Sequence, residues 1–376
     1  MGPLAGLKVI ELGGIGPVPF AAMLLADMGA TVIRVDRVGE VGTGDRATDP
    51  LLRNRQSVAV NLKDPDGAAV ILRMVARADA LIEGFRPGVA ERLGLGPPEC
   101  LETNPALVYG RMTGWGQEGP LAASAGHDLN YLALAGVLGM IGPAGGAPTV
   151  PLNLIADFGG GGMLLALGVL GAVLESRSSG RGQVVDAAMV DGAALLSTMI
   201  HGFRAQGLWT DERGANLLDG GAPFYGVYET ADGEFLTIAP IEPAFFGELV
   251  ERVGLTGEVP DQFDQSGWPE LRRRLEEAFA ARTLAEWQEA LEGTDVCFAP
   301  VLSVDEAAAH PHNLARETFI KVAGVLQPAP APRFSRTSTD DPVPPVDAGA
   351  DTAVVLAGLG LSSDEIAGLL DRRVIA

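Results

Sequence analysis

From Leu7 to about residue 115, apolar runs of strand length alternate with apolar stretches of helical length, and no other feature limits the fold so strongly. LKVIEL, a Gly/Pro turn, FAAMLLADMGA and TVIRVD form a first βαβ unit. SVAVNL, the helix DPDGAAVILRMVARA with Asp64 as its candidate cap, DALIEGF and ALVYGRMTGWG continue the pattern. Strands joined by helical crossovers lie parallel, so the expected fold class is α/β, a Rossmann-like, doubly wound parallel sheet. Ligands of such sheets bind beyond the carboxyl ends of the strands.

Between Asp128 and Glu175 a single charged side chain occurs, Asp157. The seventeen uncharged residues after it are too few for a membrane span and rich in glycine, which predicts a buried helix. QVVDAAMVDGAALLSTMIHGF reads as a strand entering a long helix, and the chain changes character at DERGANLLDGGAPF. YGVYETADGEFLTIA then reads as a hairpin turning at its DG, followed by amphipathic helices such as WPELRRRLEEAFAAR. The expected organisation is a large domain over 1–190, a linker helix over 191–224 and a second, smaller α+β domain over 225–330. The proline-rich QPAPAPRFSRTSTDDPVPPVDAGA is an extended connector, and SSDEIAGLL is a capped terminal helix.

The formal net charge of −21 argues against a nucleic-acid or anionic-membrane partner. Two cysteines, Cys100 and Cys297, give no disulfide framework, and no Cys/His pattern has the spacing of a metal site. The start lacks the pattern of a signal peptide and the end is no peroxisomal address, so a cytoplasmic protein is expected. Lys8, Lys63 and Lys321 are the only lysines. Arg37, Arg53, Arg55, Arg86 and Arg92 fall at or beyond expected strand ends and, as a set, suit a phosphate-bearing ligand.

ELGGIGPVPF followed by Asp36 imitates a dinucleotide fingerprint, but Pro19 occupies the third glycine position. Pro17 and Pro19 also remove amide donors that a pyrophosphate needs, so a tight turn is the better reading. Asp157 has two compatible readings: a helix cap, or a chemical group whose proton affinity is set by partial burial. Amides at that helix start are candidates to stabilise negative charge on a substrate oxygen. His127, in GHDLNY, stands at the mouth of a helix, whereas His201 reads as a packing residue and His310 and His312 flank Pro311 in a loop. Glu242, in APIEPAF, reads as an exposed acid at a strand end.

LKVIELGGIGP, the RNR of residues 53–55, EGFRPG, RMTGWGQEGP, GHDLNY, NLIADFGGGGM, GQVVDAAMVDG and PAPRFSRT together resemble the class III CoA-transferase superfamily, and within it the racemases of 2-methylacyl-CoA thioesters. The resemblance implies a large domain completed by 331–376 and an interlocked homodimer whose active sites lie between the large domain of one chain and the small domain of the other. It implies His127 and Asp157 as the acid/base pair, Glu242 reaching across to hydrogen-bond the histidine, and Tyr225 near the same pocket. The CoA contacts it implies are Arg37, Val60, Asn61, Leu62, Lys63, Gly84, Phe85, Arg86, Arg92, Gly126, Asp128, Leu129, Asn130 and Tyr131. Coenzyme A would be part of the substrate, with no separate cofactor and no metal.

Inverting a carbon beside a thioester carbonyl needs two groups on opposite faces in complementary protonation states. A transferase of the same fold would instead use Asp157 as a nucleophile. Transferases of this family are similar to one another in an extended glycine run where this chain has only Gly220 and Gly221, and they lack a histidine at the position of His127. Both departures favour epimerisation. A catalytically idle CoA-binding protein on the same scaffold would not need His127, Asp157 and Glu242 together.

Overall fold

The computed structural model describes residues 2–39 and 46–376. By contacts the chain divides into one unit of 1–135, 152–196 and 316–376 and another of 136–151 and 197–315.

The first unit is built on six strands: β1 (Lys8–Leu12), β2 (Thr31–Asp36), β3 (Arg55–Ala59), β4 (Ala80–Glu83), β5 (Val108–Thr113) and β6 (Gln183–Ala188). All pairings among them are parallel, in the order β3-β2-β1-β4-β5-β6. This is the doubly wound order, and its direction reverses between β1 and β4. On one face Ile10, Leu12, Val35, Val58, Leu81 and Tyr109 pack with Val70, Ile71 and Met74 of the helix Pro65–Val75. Val355, Leu356, Ile366 and Leu369 from the C-terminal helices join the same core. The opposite face carries the helices Pro17–Asp27 and Leu164–Ser179.

The edge of β3 is covered rather than left to pair with another chain. Asp351 accepts the Ser57 amide at 2.8 Å, the Thr352 hydroxyl accepts that of Ala59 at 3.1 Å, and Val60 bridges to Ile375. Residues 316–330, expected in the small domain, group with this first unit, where Arg53 bonds Gln327 and the Pro328 carbonyl at 2.8 Å each.

One expectation needs correction. Leu154–Ser179 is long and apolar enough to cross a bilayer by length and composition, but it is not a buried helix. Leu165, Val169, Ala172 and Val173 are buried against the fold, while Met163, Leu167 and Leu174 are exposed.

The second unit holds a three-stranded antiparallel sheet of Gly226–Glu229, Phe235–Ile238 and Phe298–Pro300. The expected hairpin is its first pair, with Gly233 at φ +79° supplying the turn. Phe224, Tyr228, Leu236, Trp268, Leu275, Phe279 and Trp287 form its core. Residues 136–151, expected in the large domain, group here instead, and Arg213 bonds the carbonyls of Gly139 and Gly146.

Candidate active site

The reversal between β1 and β4 opens a crevice beyond their carboxyl ends, and a cavity of about 660 Å³ lies there. Its wall is Ile15–Val18 after β1, Gly84–Pro87 after β4, Met112–Trp115 at the end of β5, Ala122, Ser124–Leu129, Tyr131, Leu152, Asn153, Asp157 and Met189. His127 and Asp157, read as candidates from distant motifs, therefore face one space.

His127 is the exposed residue preceding the helix Asp128–Leu134, and its amide donates to Asn130 Oδ1 at 3.0 Å. Asp157 lies in the first turns of a π-helical segment, Leu154–Met163, that runs into Leu164–Ser179. Such widened turns are rare and concentrate at functional sites. Asp157 is half-buried, and Asn153 Nδ2 donates to its Oδ2 at 3.2 Å. Burial raises its proton affinity above the ordinary aspartate value. The Asn153 bond opposes that rise, the charge of Asp128 adds to it and a charged His127 opposes it.

The cap reading of Asp157 fails, because another acid holds this helix start. Asp128 is buried, and its Oδ2 accepts the amides of Ala156 at 2.7 Å and Asp157 at 2.8 Å. The amides of this helix start were the expected donors to a substrate oxygen, and these two of them are already engaged. Asn153 was missed by the sequence reading, although its i, i+4 spacing from Asp157 was the available signal.

The glycines of FGGGGM serve close packing. A Cβ on Gly160 would come within 2.7 Å of the Gly192 and Ala193 backbone, and one on Gly162 within 2.8 Å of the Pro17 carbonyl. A Cβ on Gly126 would come within 2.7 Å of the Tyr131 ring, which meets Trp115 edge-on at 4.7 Å. Burial raises the Tyr131 phenol, with the charge of Asp157 adding to the rise and Arg86 opposing it.

Of the expected CoA contacts, Gly84, Phe85, Arg86, Gly126, Asp128, Leu129 and Tyr131 line the cavity, and Arg37, Val60–Lys63, Arg92 and Asn130 lie outside its wall. Arg37 and Val60–Lys63 follow β2 and β3, on the same edge of the sheet. Arg92 ends the short helix Val89–Arg92 and is exposed. Tyr225 and Glu242 belong to the second unit, where Tyr225 is half-buried and Glu242 is the exposed residue preceding the helix Pro243–Arg252.

Two arginines leave the phosphate set. Arg53 is buried with two bonds to Asp27, at 3.0 and 2.5 Å, and Arg55 is buried against Glu11 at 3.1 Å and the Pro19 carbonyl. Asp36 is likewise unavailable to a ribose: it accepts from Arg34 at 2.9 Å, from Arg46 at 2.8 Å and from the Ser57 hydroxyl at 2.6 Å. Among the described residues no cluster of His, Cys, Asp and Glu has the makings of a metal site.

Residues 4–352 match CoA-transferase family III. The chain is 46% identical to the alpha-methylacyl-CoA racemase of Mus musculus over 99% of its own length and 97% of that protein, and 44% identical to the Homo sapiens racemase over the same shares. The acetyl-CoA:oxalate CoA-transferase of Acetobacter aceti is 32% identical over 91% of each chain. A CaiB/BaiF family protein from Brucella suis superposes with a TM-score of 0.81 at 25% identity, over 95% of this chain and 99% of that one. The sheet order, the cavity at its reversal and these matches agree: the chain belongs to CoA-transferase family III.

Proposed function

We propose that this chain interconverts (2R)- and (2S)-2-methylacyl-CoA thioesters by 1,1-proton transfer. The observation that carries the reading is that His127 and Asp157 line one cavity at the switch point of the sheet. The full-length similarity to two alpha-methylacyl-CoA racemases supports it.

In one direction neutral His127 takes the α-proton, and the electron pair of the broken C–H bond moves into an enolate. Asp157, in its acid form, returns a proton to the opposite face. The reverse direction starts from the Asp157 carboxylate and protonated His127. Partial burial and the Asp128 charge favour the acid form of Asp157, which brings its affinity closer to that of an imidazole. The enolate oxygen needs donors other than the Ala156 and Asp157 amides. The start of Asp128–Leu134 lies on the cavity wall and is the proposed source of those donors.

Arg37, Val60–Lys63 and Gly84–Arg86 follow β2, β3 and β4 along one edge of the sheet. Three strand spacings cover about 15 Å, a track suited to the length of coenzyme A. The reading assigns no resident cofactor, since proton transfer runs between two side chains and coenzyme A belongs to the substrate. Exposed Met163, Leu167, Leu174, Leu195 and Leu196 suit an interface with a second copy, in an interlocked homodimer whose partner contributes Tyr225 and Glu242. Free Cys100 and Cys297 suit a reducing, cytoplasmic setting.

The test is to incubate one epimer of a 2-methylacyl-CoA in deuterated water and follow α-deuterium and the epimer ratio together. Deuterium gain with loss of stereochemical purity is expected. Stereochemical retention in a protein that moves CoA onto free carboxylic acids would overturn the reading in favour of nucleophilic transfer through Asp157.

A further inference from the structure

Gly84–Pro87 line the cavity, and the segment holding them is gripped from outside it. Glu83, the last residue of β4, is fully buried; its Oε2 accepts the Phe85 amide at 2.5 Å and its Oε1 accepts Arg111 Nε at 2.9 Å. Arg111 stands on the neighbouring strand β5 and is absent from the cavity wall. Its Nη1 and Nη2 donate to the two oxygens of Glu91, at 2.8 and 3.3 Å, in the helix Val89–Arg92 beyond the segment. One guanidinium thus ties the residue before the loop to the helix after it, and its planar fork of donors fixes the directions of the bonds to both carboxyl groups. Tyr109, two residues earlier on β5, is fully buried; its ring centre lies 5.9 Å from the guanidinium carbon and its hydroxyl donates to the Leu95 carbonyl at 2.7 Å. Gly84 adds a close contact, because a Cβ there would lie 2.9 Å from Val18 Cγ2.

We propose that Arg111 is a positioning residue for thioester binding, clamping Gly84–Gly88 through Glu83 and Glu91 so that Gly84–Pro87 present a fixed wall to the ligand. This rests on the reading that the cavity holds the CoA thioester. Arg111 touches no reacting atom, so its loss acts on affinity and spares the proton-transfer step.

The experiment titrates the full chain calorimetrically with 2-methylpropanoyl-CoA, whose α-carbon is not stereogenic, and measures epimerisation of a chiral 2-methylacyl-CoA in parallel. Arg111→Met is expected to weaken Kd and raise KM about tenfold, with kcat within about threefold of the parent, since each charge-assisted bond contributes on this scale. Arg111→Lys, which keeps the charge and loses the fork, is expected to recover only part of the affinity. Glu91→Gln leaves the buried Glu83–Arg111 pair in place and still weakens Kd, by about threefold, so the test survives misfolding of the methionine variant. Parental Kd in folded Arg111→Met or Glu91→Gln overturns the clamp, as does a fall in kcat at unchanged Kd. Failure of the parent chain to bind the probe, or binding without α-exchange, overturns the functional reading instead.

Discussion

Asp128 holds Asp157 by its backbone: one buried oxygen of Asp128 accepts the amides of Ala156 and Asp157 at 2.7 and 2.8 Å. The same charge raises the proton affinity of Asp157, adding to the effect of burial. Geometry and charge separate by substitution. Asn at 128 keeps an oxygen for the two amides and removes the anion, so the Asp157 pKa falls. In the direction where Asp157 gives its proton, activity is lost as pH rises through that pKa. Asp128→Asn is therefore expected to move this limb of the pH–rate profile to lower pH, while Asp128→Ala also loses about 10- to 100-fold in kcat as the helix start loosens. Identical profiles for the parent and Asp128→Asn would refute the electrostatic part.

His127 and Asp157 reach the cavity from two separate elements, and a two-base reaction treats them unequally when one is removed. His127→Ala and Asp157→Ala are each expected to lower epimerisation by about 10³-fold or more, with CoA-ester affinity held within about threefold. Each variant keeps one base, so each is expected to exchange α-deuterium into one epimer only, and into opposite epimers. Exchange into both epimers by either variant, followed by mass spectrometry, would rule out the assignment.

The parallel sheet was legible because it is written locally. Strand and helix alternate in sequence, and crossover geometry then imposes parallel order. The site was half legible, since the isolation of Asp157 in apolar sequence and the position of His127 after a glycine loop marked both. What stayed hidden depends on distant pairing. Asp128 caps a helix 28 residues away, so the acid nearer in sequence took the cap reading. Arg53 and Arg55 stand at the start of β3, not its end, and meet Asp27 and Glu11 across 26 and 44 residues. Gly160 is explained only when Gly192 arrives, since a Cβ on Gly192 would sit 1.8 Å from the Gly160 carbonyl oxygen.

Arg53 supplies a prediction that separates structure from ligand binding. Its guanidinium is buried with Asp27, and without it that carboxylate keeps only the Asn54 side chain, at 2.7 Å, among these contacts. Arg53→Met is expected to lower unfolding free energy by about 3–5 kcal/mol, the cost of leaving a buried charge without its partner. Urea unfolding measures that loss, and the CoA-ester Kd of the folded protein should stay within about twofold. Unchanged stability with lost affinity would return Arg53 to the phosphate-binding set.

Glu83 makes stability depend on pH in the direction opposite to that of an ordinary surface acid. Burial pushes its carboxyl from 4.5 up to about 7, although the Phe85 amide and Arg111 both pull it down. Between those values the folded protein holds a proton that the unfolded chain has released. The contribution of this group is therefore fully present below about 4.5 and lost as pH rises through about 7. Glu83→Gln has no such titration. The unfolding free energy of the parent, measured relative to this variant, is expected to fall by on the order of 1–3 kcal/mol between pH 4.5 and 7.5. Urea midpoints taken across that range decide it. A difference that stays flat, or that grows with pH, would place the Glu83 carboxyl in its ordinary range and make the Arg111 pair a fully ionised one at neutral pH.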